Sequence, residues 1–122
     1  MRAQRFQDIT AWQKARVVAR EVYDLTRKRD FDHDFSLARQ MQGAAVSVMA
    51  NVAEGFDREG TAEFHRFVCI ARGSCSELLS HLYVAMDIGY ITPAEFEAME
   101  GKIAEVSRLL RALRASLERA KD

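Results

Sequence analysis

"TPAEFEAMEGKIAEVSRLLRALRASL", Thr92 to Leu117, decides the fold. Thr92 is a helix N-cap residue, Pro93 suits the first helical position, and Glu95 stands where its carboxylate can reach back to the cap amide. Phe96, Met99, Ile103, Val106, Leu110, Leu113 and Leu117 then recur three and four residues apart. That spacing keeps all seven on one seam of a long helix that packs at a shallow angle. A seam of this kind has to be covered by other helices.

The preceding sequence supplies them. Gly60-Thr61 opens a helix, with Thr61 as its cap, and Phe64, Phe67, Val68, Ala71, Leu78, Leu82, Ala85 and Met86 follow at helical spacing. Gly89 is placed to close it in the left-handed conformation, and Tyr90-Ile91 can fold back over its end. At ~1.5 Å per residue this helix is about 40 Å long. A second helix is expected from Ser36 to Glu54, stopping at Gly55, with Leu37, Met41, Ala44, Ala45, Val48 and Val52 inward. A first helix is expected from Thr10 to Lys28, with Trp12, Ala15, Ala19, Val22 and Leu25 inward. Three short polar links, "RDFDHDF", "FDREG" and "YIT", join the four. Short links between long helices make neighbours antiparallel, so the expected fold is all-α: one up-down antiparallel four-helix-bundle domain over residues 1–122. The alternative is two helical hairpins completed by a partner chain.

Composition agrees with long elements. The chain has 122 residues, of which 48% are apolar, with one proline and six glycines. No apolar run approaches the ~20 residues of a membrane span. The basic start "MRAQRFQDITAWQKA" lacks the apolar segment of a signal peptide. Cys69 and Cys75 fall on different faces of one helix and cannot bridge each other, which reads as a reduced, cytoplasmic protein. Net charge is zero but uneven: residues 1–29 carry eight Lys/Arg against three Asp/Glu, residues 30–100 carry four against twelve, and residues 101–122 carry six against three.

A polar stripe crosses the apolar pattern. Gln40, Ala44, Ser47, Asn51 and Glu54 are spaced 4, 3, 4 and 3 on helix two, and Gly73-Ser74, Glu77 and His81 answer on helix three. An unpaired buried amide or carboxyl costs about 1–3 kcal/mol. One reading has Ser47, Asn51, Ser74 and Glu77 hydrogen-bonded across the two helices, fixing their register. A second puts Asn51 and Glu54 partly at a subunit interface. A third makes a metal site of Glu54, Glu77 and His81, but carboxylate-bundle metal sites need two Glu-x-x-His pairs and two further Glu, and no second pair is present. The structural reading is preferred, with no cofactor; Arg72 or an arginine of another chain is the expected partner of Glu54.

These residues carry a resemblance. "Trp12-Gln13-Lys14-Ala15", "Leu37…Gln40-Met41", "Ser47…Asn51-Val52-Ala53-Glu54-Gly55", "Phe67…Ile70-Ala71-Arg72-Gly73-Ser74…Glu77-Leu78" and "Gly89-Tyr90-Ile91" resemble the 23S rRNA intervening-sequence protein family, from about Phe6 to beyond Leu110. The resemblance implies a bacterial cytoplasmic protein of no established enzymatic activity, often a ring of five. A related branch assists reverse transcriptases and binds nucleic acid through a basic surface. The family usually has basic residues just after the glutamine of helix two; Gln42 and Gly43 stand here instead, which weakens the nucleic-acid reading.

Catalysis has little to draw on. There is no Gly-rich phosphate loop, no metal-binding cysteine pair and no nucleophile elbow, and His33, His65 and His81 are scattered. No small-molecule substrate or membrane partner is indicated. The two functions carried forward are a non-catalytic oligomeric scaffold or adaptor and, as the alternative, an accessory protein that binds RNA or DNA. The alternative would use Arg16, Arg20 and Arg27 of helix one, merging with Arg108, Arg111 and Arg114 of helix four. Val17, Val18, Tyr23, Val46, Met49, Ile70 and Leu79 exceed what one core can use and are the candidate oligomer interface. A pentamer is favoured through the resemblance alone, with a dimer next.

Overall fold

The computed structural model describes residues 3–120, with only the backbone of Arg29. Four helices form an up-down bundle: α1 (Thr10–Thr26), α2 (Phe35–Asp57), α3 (Thr61–Asp87) and α4 (Pro93–Arg119). Short 3-10 turns lie before α1 (Phe6–Asp8) and between α1 and α2 (Arg29–His33). The core runs along the common axis, with Val22, Met41, Val52, Leu78, Leu82 and Leu110 fully enclosed.

The signals that open α4 work as read. The Thr92 amide donates to Glu95 Oε1 (2.9 Å) and the Glu95 amide to Thr92 Oγ1 (3.1 Å), with Pro93 behind the cap. Gly89 closes α3 at φ +86°, and the Tyr90 amide bonds back to the Ala85 carbonyl (2.9 Å). Ile91 is buried beneath that turn.

Other boundaries need correction. α1 ends at Thr26 rather than Lys28. The link after it is not simply polar: its 3-10 turn lowers Phe31 into the end of the core, where it is 0% exposed and its ring centroid lies 5.0 Å from that of Tyr90. α2 does not stop at Gly55 but continues to Asp57. Gly55 is there because α3 passes so near: a Cβ on it would lie 2.6 Å from Phe67 Cβ and 3.0 Å from Phe64 Cδ1. At the start of α3, Thr61 does not cap; Gly60 holds the cap position at φ +96° and no side-chain cap bond forms. Val18, expected at or outside the edge of the α1 stripe, is in the core at 5% exposure.

The two poles of the bundle differ. At one, the α1–α2 and α3–α4 links meet. Asp34, the N-cap of α2, accepts from the Leu37 amide (3.1 Å) and from the Tyr90 hydroxyl (3.0 Å). At the other lie the α2–α3 turn, the start of α1 and the end of α4.

Candidate functional site

The polar stripe lies on the α2/α3 seam. The Ser47 and Ser74 hydroxyls share a hydrogen bond of 2.8 Å, the one cross-helix link in the stripe among the described residues. Asn51 Nδ2 donates to the Ser47 carbonyl (2.8 Å) and hydroxyl (3.0 Å), so it steadies Ser47 rather than spanning the seam. The remaining members pair along their own helices: Gln40 with Ser36 (3.3 Å), Glu54 with Arg58 (2.8 Å), and Glu77 with His81 (3.3 Å). Arg58 thus takes the place expected for Arg72. Among the described residues, no group of three His, Cys, Asp or Glu side chains could hold a metal ion.

The arginines do not form one surface. Arg16 stacks over Trp12 (5.7 Å) and Arg27 over Tyr23 (5.3 Å), while Arg20 is exposed on the same helix. Arg108 and Arg111 instead line a groove between α3 and α4. The α1/α4 seam is crossed by other pairs: Lys14–Glu105 (3.9 Å), Glu21–Lys102 (2.6 Å) and Lys28–Glu95 (3.6 Å). Helix neighbourhood alone does not merge the two arginine stripes: Lys14, Glu21 and Lys28 rather than the α1 arginines reach α4, and Arg108 and Arg111 lie on its α3 side. Arg114 Nε lies 3.8 Å from Glu118, next to His65, whose Nε2 is 2.9 Å from the same carboxylate.

The α3/α4 groove holds about 520 Å³. Small side chains open it: Ser76 on α3, and Gly101, Ala104 and Ser107 on α4, over a floor that includes Cys75, Leu79 and Ile103. Glu97 and Glu100 line it toward the start of α4, Arg108 and Arg111 further along. Burial pushes the Cys75 thiol up to about 11, so it is an inert packing group. Cys69 is exposed, with its Sγ 3.9 Å from His65 Nδ1.

The candidate interface residues divide. Val17, Val46 and Ile70 are exposed. Met49 and Leu79 rest against the core, and Tyr23 is half-buried beneath Arg27.

Some links had no local signal in sequence. Gln42 Nε2 donates to Thr26 Oγ1 (2.9 Å), joining α2 to α1. Tyr90 reaches Asp34 across 56 positions. That hydrogen bond first, then burial and the charges of Asp34 and Asp30, raise the Tyr90 phenol above its ordinary value. The link is therefore intact below the usual phenol range and is lost as pH rises through the raised value.

A four-helix bundle with a polar α2/α3 seam and a side groove is the class that fold and surface define. The sequence matches the family described as 23S rRNA-intervening sequence protein over residues 7–112. The chain belongs to that family. Its fold is similar to that of a solved protein of unknown function from the S23 ribosomal protein family of Bacteroides thetaiotaomicron, with a TM-score of 0.79 at 20% identity, covering 86% of this chain and 98% of that one. No curated protein matches.

Proposed function

We propose that this protein is a non-catalytic, self-assembling four-helix-bundle scaffold or adaptor that works in the cytoplasm. The observation that carries this reading is the set of apolar side chains left outside a filled core. Val17, Phe35, Val46, Ile70, Val84 and Ile88 are all exposed although the core is closed without them. Apolar side chains of this size left in water favour contact with another surface where neighbours fall together. Two free cysteines, one exposed and one buried, fit a reducing compartment.

Light scattering on the purified protein tests the reading. The expected mass is a multiple of the 13.9 kDa chain, five in first place and two in second. A stable monomer at micromolar concentration overturns it. The nucleic-acid alternative now draws on separate groups: Arg16 and Arg20 on α1 with Arg27 just past its end, and Arg108, Arg111 and Arg114 beside α3. RNA or DNA binding that weakens steeply with salt, and that is lost in Arg108→Glu with Arg111→Glu, would favour that alternative instead.

A further inference from the structure

We infer that the α3/α4 groove receives the outer face of α2 from a second copy of this chain. This rests on the self-assembly reading above and specifies the contact.

Groove and ligand face match in shape and charge. The outer face of α2 presents Arg39, then Gly43, Val46 and Ala50, then Glu54 and Asp57; all six are exposed. Its middle has no charge to hold water, and Val46 stands 41% exposed at its centre. The groove has the reverse order of charge along α4: Glu97 and Glu100, then Gly101 and Ala104, then Arg108 and Arg111. At ~1.5 Å per residue, Arg39 to Glu54 spans about 22 Å and Glu97 to Arg111 about 21 Å. Laid parallel to α4, the second α2 sets Arg39 against Glu97 and Glu100, Val46 over the small residues, and Glu54 and Asp57 against Arg108 and Arg111.

Further observations agree. A Cβ built on Gly43 or on Gly101 meets nothing within 4 Å, so both helix surfaces are open to close approach. Arg72, one turn along α3 from Ser76, keeps a buried Nε–H without a hydrogen-bond acceptor among the described residues. An arriving carboxylate would bring acceptors to that end of the groove. The polarity also fits. In an up-down bundle α2 already runs parallel to α4, so a docked copy keeps its axis in the same sense. The ligand face and the groove are different surfaces, so the contact is heterologous and closes into a ring when the rotation per copy fits.

Disulfide trapping and charge swaps test this. All variants carry Cys69→Ser and Cys75→Ala, which remove the exposed thiol and the one in the groove floor. Val46→Cys with Ala104→Cys, treated with diamide, should give a ladder of linked chains, while Val46→Cys alone should give none. Arg39→Glu should drop the light-scattering mass to that of one chain, as should Glu97→Arg with Glu100→Arg; the combined triple variant should recover the assembly. If the unmodified chain is monomeric, self-assembly fails and this contact with it. If it is oligomeric but gives no ladder and keeps its mass in Arg39→Glu, this contact alone is overturned. Cross-linking by Val46→Cys alone would mean a two-fold contact through α2 and would equally overturn it.

Discussion

The α2/α3 seam and the α1/α4 seam both join antiparallel neighbours, but by different means. α2 and α3 touch backbone to side chain at Gly55, share the Ser47–Ser74 hydrogen bond, and bury Val48, Val52, Val68 and Ala71 along the way. α1 and α4, with the link after α1, are crossed at the surface by lysine–glutamate pairs whose side chains are partly exposed. Both seams bury apolar side chains, but outside the core the first is fitted by shape and the second by partly solvated charges. Specificity of alignment therefore resides in α2 and α3, and the outer pairs add tolerance rather than precision.

The largest effect should come from filling the tight point. Gly55→Val adds atoms where even a Cβ would stand 2.6 Å from Phe67 Cβ. Overpacking should outweigh the helix propensity gained over glycine and destabilise by about 2–3 kcal/mol. Urea unfolding measures it; unchanged stability would show that the seam relaxes freely and that shape does not set it.

A smaller effect is expected from the serine pair. A double-mutant cycle with Ser47→Ala and Ser74→Ala should give a coupling of about 0.5–1.5 kcal/mol, with the propensity gain of each alanine cancelling in the cycle. Zero coupling would leave the polar stripe without a role between the helices.

The least is expected across α1 and α4. A cycle with Glu21→Ala and Lys102→Ala should give under about 1 kcal/mol and should shrink as salt rises. A coupling above that of the serine pair would reverse the contrast between the seams.

The same contrast explains what sequence could convey. The α4 seam from Phe96 to Leu110 and the cap at Thr92 were legible because each depends on neighbours three or four residues away. Gly89 was legible for the same reason. Gly55 was not: a glycine near a helix end reads as a stop, and only the proximity of Phe67 reveals it as a contact. Phe31 was hidden among acids in a link, since its burial depends on where that link crosses the core. The polar stripe could be seen as a stripe, but Asn51 and Glu54 had partners one turn away that competed with any across the seam. Arg108 and Arg111 could be placed on α4, yet which neighbouring helix they faced depended on the rotation of α4 about its own axis.

The Tyr90–Asp34 link has one more consequence. It ties two connections together at one pole, while the up-down order of four helices puts the start of α1 and the end of α4 at the opposite pole, about 40 Å away along a helix the length of α3. Anything attached to either end leaves from the same side. In an assembly whose copies keep their axes parallel, all such attachments would crowd one rim, while the opposite rim would repeat the linked connections, with Phe35 and Ile88 exposed beside them.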